Sequence, residues 1–225
     1  MKIGMTFTMG FFRIDFMAIE SEIKLSVPDR AIFGRIASLG EIAGFRTVDN
    51  GISRHTDTYF DTGDLRLYRE KIVFRLRTSD NKNILACKTQ GPSREGIFRR
   101  IETEAETIIA ADDILRGNLP DIPPVRALYE RIGIVGLTKS LCVTNDRHTI
   151  RLDRGGSTMF ELVLDDVTFC GPRGRASVLE LEVESLSGSD EELTEIGGWL
   201  AGTFGLPEAG PSKYILGMQL VGGAE

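Results

Sequence analysis

Apolar and polar positions alternate with a period of two along much of the chain, the pattern of strands with one dry and one wet face. Ala18 to Leu25 (AIESEIKL) sets Glu20, Glu22 and Lys24 against Ile23 and Leu25. Pro28 and Asp29 then open a stretch in which Ala31, Ile32, Ile36 and Leu39 are apolar. That spacing predicts an amphipathic helix through Leu39, with proline in its first turn. HTDTYFDT predicts a second, short strand ending in a turn at Gly63-Asp64. Lys71 to Thr78 places Arg75 and Arg77 opposite Phe74 and Leu76, and Ile84 to Thr89 follows the turn-prone SDNKN as its hairpin partner. After a GPSREG loop, IFRRIETEAET carries Arg100, Glu102 and Glu104 on one face.

Asp112 to Ile132 has a helical pattern interrupted by Pro120, Pro123 and Pro124, which predicts two short helices. Three further alternating runs, LCVTNDRHTIRL, FELVLDDVTF and VLELEVESL, are separated by the glycine-rich turns DRGGS and CGPRGR. Ser189 to Phe204 reads as a helix with Ser189 as its cap and Glu192 three residues on, and PSKYILGMQ closes the chain. No repeat or linker divides the pattern. The expectation is one domain over residues 17–220, after a leader at 1–16 that is disordered or a misplaced start.

Composition narrows the function. The 225 residues are 41% hydrophobic and 27% charged, enough chain to bury about 70% of its unfolded surface without staples. Three separated cysteines, Cys87, Cys142 and Cys170, argue against a disulfide framework and for a reducing, cytoplasmic setting. With only two histidines and no C-x-x-C pair, a structural zinc site is not expected. The net charge of −6 disfavours nucleic acid and anionic membrane as partners. It leaves room for a local cationic pocket.

The charged strand faces supply the chemistry. An ordinary solvated face would mix in Ser, Thr, Asn and Gln; these faces are mostly Glu, Asp, Arg and Lys, with acidic and basic strands alternating. A closed antiparallel barrel accounts for this: the aliphatic face packs outward under helices and the charged face lines a lumen. Buried charge of both signs calls for a guest carrying anionic groups and a cation. Polyphosphate with magnesium or manganese fits, because Arg and Lys neutralise phosphate oxygens and carboxylates are hard-metal ligands.

Glu20-Ser-Glu22-Ile-Lys24 resembles the E-x-E-x-K first strand of the CYTH superfamily, the triphosphate tunnel metalloenzymes. Further segments resemble that family in the same order: YFDTGD, FRLR with Arg75 and Arg77, Lys88 in ACKTQG, Arg100-Ile-Glu102, Arg147, Asp165, Glu180/Glu182 in LELEVES, and Ser212-Lys213-Tyr214. The resemblance covers about Ala18 to Met218. It implies an eight-stranded antiparallel tunnel with helices outside. Arg75, Arg77, Lys88, Arg100, Arg147 and Lys213 would grip the triphosphate. Glu20, Glu22, Glu102, Asp165, Glu180 and Glu182 would hold Mg2+ or Mn2+. Glu20, Glu22, Lys24 and Glu182 would form the catalytic set, with Lys24 touching phosphate or orienting Glu22. Glu161, Glu104, Glu184, Arg151 and Lys139 fit less well, with Glu184 and Arg151 expected outside the site. Tyr59 and Phe60 read as packing residues, and His55 and His148 as surface or strand positions without catalytic duty.

Metal-dependent hydrolysis of inorganic tripolyphosphate is the leading expectation. Adenylyl cyclase chemistry on ATP in the same tunnel is the second, and a non-catalytic polyphosphate or nucleotide binder the third. The carboxylates speak against the third, since uncompensated acids repel a polyanion. The expected partner is a small-molecule triphosphate, and a homodimer is left open.

Overall fold

The computed structural model describes residues 18–79, 82–90 and 97–223, and at 18–20, 90 and 98–100 it describes the backbone alone. The expectations for the leader, the GPSREG loop and the centre of the SDNKN turn lie outside the described residues. Among those residues the chain is α+β and mainly antiparallel sheet, as the alternation predicts.

Nine strands are present among the described residues: β1 (Ala18–Val27), β2 (Glu41–Ile42), β3 (Phe45–Asp61), β4 (Ile72–Ser79), β5 (Lys82–Gln90), β6 (Phe98–Thr107), β7 (Thr138–Arg154), β8 (Ser157–Gly171) and β9 (Gly174–Ser185). The helices are α1 (Arg30–Ala37), α2 (Arg66–Arg69), α3 (Ala111–Leu115), α4 (Pro123–Ile132), α5 (Asp190–Phe204) and α6 (Lys213–Gly217), the last running into a π-helical turn at Met218–Gly222. The sheet order is β2-β3-β4-β5-β6-β1-β9-β8-β7, and β3 pairs along its length with β7 as well as with β4.

β3 exceeds its expected length the most. β3 begins ten residues before HTDTYFDT, because its Arg46–Arg54 half pairs with β7 while leaving most side chains in solvent. A strand wet on both faces carries no apolar alternation to read. Its ladder is also broken between Asp49 and Ile52, where Gly51 takes a positive φ of 82°. α2 stands where only a turn was expected. Its nucleus is Asp61, a buried carboxylate that accepts N–H bonds from Leu67 (2.8 Å) and Tyr68 (2.9 Å) and the Tyr214 hydroxyl (2.6 Å).

The other helices largely follow their signals, but α1 starts after its Asp29 cap, so Pro28 precedes it instead of lying in its first turn, and it ends at Ala37, short of Leu39. Asp29 caps α1 by accepting from Ala31 and Ile32, and Ser189 and Glu192 form the reciprocal capping box of α5. Pro120 lies between α3 and α4, whereas Pro123 and Pro124 open the first turn of α4. α1 and α5 cover the apolar face of β1, β8 and β9, burying Ile23, Leu25, Leu162, Leu181 and Val183. α3 and α4 cover Phe74, Leu76 and Leu85 of β4 and β5. Gly197 lets α5 lie close on β1: a Cβ there would stand 2.7 Å from Ile23.

The C-terminus packs on the opposite, charge-bearing face. Tyr214, Met218 and Val221 join Tyr59 of β3, Leu141 and Val143 of β7, and Val167 and Phe169 of β8. Gly217 makes this fit, because a Cβ would lie 2.4 Å from Leu141 and 2.7 Å from Phe169. Among the described residues no helix is long and apolar enough to cross a membrane, a statement that does not bear on strands.

Candidate active site

The period-two alternation sends the charged residues of neighbouring strands to one common face, where they enclose a cavity of about 220 Å³. Among the described residues six cations line it: Lys24 (β1), Arg75 and Arg77 (β4), Lys88 (β5), Arg147 (β7) and Lys213 at the start of α6. Six carboxylates face them: Glu22 (β1), Glu102 and Glu104 (β6), Glu161 (β8), and Glu182 and Glu184 (β9). Val73, Val163, Tyr59, Tyr214 and Ser212 complete the described lining. Tyr59 and Tyr214 stack on each other at 5.2 Å. The Ser212 hydroxyl accepts the Ile215 N–H as the cap of α6.

Glu182 is the hub of the most buried network. It accepts from Lys24, from Lys213 (2.5 Å) and from Arg147 (3.1 Å). Arg147 meanwhile grips Asp165 with two bonds of 2.8 and 2.6 Å. Lys213 Nζ reaches three carboxylates, with Asp165 at 2.9 Å and Glu180 at 2.8 Å besides Glu182. Burial opposes every charge here, but Lys213, Lys24 and Arg147 hold Glu182 well below the usual carboxylate range. Lys213 and Arg147 bring Asp165 down to about 2, and those acids hold Lys213 well above the usual lysine value. Glu182, Asp165 and Lys213 are therefore ionised at neutral pH.

A second network lies on β3 and β4. Asp57, 1% exposed, accepts two bonds from Arg77 (2.8 and 2.9 Å) and one from Arg75 (3.3 Å). Arg75 also donates to Glu104 (3.2 Å). Burial works against ionisation of Asp57, yet the two guanidiniums hold it below the ordinary aspartate range. His55, 3.9 Å from Asp57, is driven down to about 3 by burial and by Arg77.

The His55 value gives stability a definite pH dependence. An unfolded histidine binds a proton below about 6.5, whereas the folded one does so only near 3. The unfolded state thus holds more protons in that window, and stability falls as pH drops through it, by at most ~1.4 kcal/mol per pH unit. Urea midpoints at pH 7, 6 and 5 should show this fall, and His55→Asn should flatten it. An unchanged slope in the variant would assign the effect elsewhere.

Of the residues named from the sequence, Glu22, Lys24, Arg75, Arg77, Lys88, Glu102, Arg147, Glu182 and Lys213 meet on the cavity wall. Glu20 and Arg100 face each other in the β1–β6 register, but their side chains lie outside the described ones. Asp165 and Glu180, expected as metal ligands, are set behind the wall, buried beneath Arg147 and Lys213. Glu184, expected to be exposed outside the site, lines the cavity instead, as do Glu104 and Glu161. It is paired in register with Glu22 on one side and Glu161 on the other, a row of three like charges. Tyr59 lines the cavity, while Phe60 is core. His55 is buried on the inner face of β3 and is not a surface group. Sequence reading missed Asp57; the available signal was its parity with Tyr59 and its register opposite Arg77.

The donor chemistry suits a hard divalent cation. Glu102 engages Lys88 through one oxygen at 2.7 Å, and its other carboxylate oxygen is buried without a hydrogen-bond partner. Among the described residues no ready-made cluster of three metal-ligating side chains is present, because most carboxylates hold an ammonium or guanidinium.

The sequence profile of the CYTH domain matches residues 18–201. A search among curated proteins returns no match. Among solved structures, a candidate adenylate cyclase from Bacillus halodurans is 19% identical, with 87% of this chain and 94% of that one covered at a TM-score of 0.63. A candidate adenylyl cyclase from Hippeastrum, described as having a dominant triphosphatase activity, is also 19% identical, with 90% and 96% covered at 0.66. At such identities these likenesses speak to the fold alone.

Proposed function

We propose, from the premise that this chain belongs to the CYTH domain family, that it is a metal-dependent triphosphatase acting on inorganic tripolyphosphate. The observation that carries this reading is the cavity itself, with six cations and six carboxylates among the described residues of its lining. The added β3–β7 pairing supports treating the eight long strands as a closed tunnel around that cavity. The described lining offers only Val73, Val163 and the mutually stacked Tyr59 and Tyr214 as apolar surface, which favours a bare phosphate chain over a nucleotide. The three free cysteines suit a reducing, cytoplasmic setting.

In this reading Arg75, Arg77, Lys88, Arg147 and Lys213 bind phosphate oxygens, joined by Arg100 from the register position opposite Glu20. Glu22, Glu102 and Glu182, with Glu20 on the same strand as Glu22, hold the divalent cation, and Lys24 orients Glu182. Asp165 and Glu180 act one step back, fixing Arg147 and Lys213. Bound there, Mg2+ or Mn2+ would neutralise phosphate charge and lower the pKa of a water for attack on the terminal phosphorus. The guanidiniums stabilise the charge that builds on the transferred group, so no side-chain nucleophile is required.

The test is phosphate release from tripolyphosphate, ATP and thiamine triphosphate, each with magnesium, manganese or chelator. Cyclic AMP is measured in the ATP samples. Fast, chelator-sensitive release from tripolyphosphate is expected. Cyclic AMP without phosphate release would replace this reading with a cyclase, and binding without turnover of any substrate would leave a binding module.

A further inference from the structure

Asp57 presents a contradiction in charge. A cavity built to hold a polyanion has, directly behind two of its arginines, a carboxylate that is 1% exposed and ionised. By Coulomb's law that charge weakens anion binding, so its presence calls for a compensating role. The geometry supplies one. Asp57 takes the Nε and Nη2 edge of Arg77 in a fork-to-fork pair, and a corner of Arg75 through Nη1. Register explains how: Asp57 lies directly across from Arg77, and Tyr59 across from Arg75. With one edge held, each guanidinium can present only its remaining N–H groups to the cavity. The Arg75 Nε–H is itself buried without a partner. Neutral His55, 3.9 Å from Asp57 and in contact with buried Asn145, lies beside the carboxylate, which is itself screened from water.

We infer that Asp57 is a positioning residue, which fixes the orientation of Arg75 and Arg77 toward the transferred phosphoryl group at a cost in ground-state affinity. The inference rests on the triphosphatase reading for its kinetic consequence, but its structural content is independent of it. A guanidinium pinned on one edge is preorganised, and stabilisation of developing charge depends on donors that need not reorient during the reaction. Freed of Asp57, the two arginines would bind the polyanion at least as well but in many orientations.

The test uses Asp57→Asn and Asp57→Glu in the full chain. With tripolyphosphate and magnesium, Asp57→Asn should lower kcat at least tenfold while KM stays level or falls. Asp57→Glu keeps the charge but displaces both guanidiniums, and it should not restore kcat. A restored kcat in Asp57→Glu would mean that charge balance, not position, is what Asp57 provides, and would overturn the inference. So would a kcat within twofold of wild type in Asp57→Asn. A spectroscopic arm needs no turnover: in the wild type the Arg77 Nε–H should give a resolved, slowly exchanging NMR signal, and its exchange should quicken more than tenfold in Asp57→Asn with the backbone spectrum preserved. Unchanged exchange would also refute the positioning role. If the wild type fails to hydrolyse tripolyphosphate, the triphosphatase reading falls, and the exchange measurement still decides the role of Asp57.

Discussion

Arg75→Ala is expected to reduce kcat/KM for tripolyphosphate by about two to three orders of magnitude, the loss typical of deleting one preorganised charge-stabilising donor. Arg75 is buried, lines the cavity and is held between Asp57 and Glu104. Burial disfavours its charge, but Asp57, Tyr59 and Glu104 hold its pKa above the usual arginine value, so it remains cationic at any working pH. Arg75→Lys keeps a positive charge but not the planar fork, and should recover only part of the loss. Steady-state kinetics on both variants, with circular dichroism to establish folding, make the measurement. A folded Arg75→Ala protein with unchanged kcat/KM would remove Arg75 from the site.

Lys213→Met is expected to have the largest effect on stability. The side chain is buried, and its ammonium is shared by Asp165, Glu180 and Glu182. Methionine fills nearly the same volume, so the change isolates the charge. Removing one partner from a buried ion network typically costs about 3–5 kcal/mol, because the opposite charges stay buried without compensation. For a chain of this size that is a fall in Tm on the order of 10 °C. The sign of the pH dependence follows from the same groups. Asp165 and Glu182 are held low largely by Lys213, so they stabilise the wild type above the unfolded carboxylate value near 4, and this is lost as pH falls toward 2. In the variant the two acids lose that pull, protonate more readily, and the difference from wild type should narrow between pH 7 and pH 4. Calorimetry in chelator at both pH values reads it. A Tm within 2 °C of wild type at pH 7 would show that the carboxylates have another counter-charge.

Asp165 and Glu182 show how the two levels of description divide. Their identity as charged, inward-facing residues is plain in the sequence, since Leu164, Leu181 and Val183 beside them are apolar and the period is two. What each one does is decided elsewhere. Lys213 reaches β8 and β9 from the other end of a helix, brought there by the seating of Tyr214 and Gly217 against Leu141 and Phe169. No local pattern encodes that contact. The row Glu22–Glu184–Glu161 is likewise a product of register: three strands, two of them sequential and one from the opposite end of the chain, bring three acids into line.

The sequence by itself therefore determined the strands that carry an apolar alternation, the capping box of α5, the side of those strands that carries charge, and the presence of both signs on it. These are consequences of the pleat and of capping chemistry, which act over a few residues. Tertiary structure alone decided that Asp57 lies behind Arg75 and Arg77, that His55 is buried and neutral, and that Glu184 faces the cavity while Asp165 and Glu180 stand behind it. Each of those outcomes depends on which strand lies beside which and on how deeply water is excluded. Both are properties of contacts between residues far apart in the chain, which no short window of sequence contains.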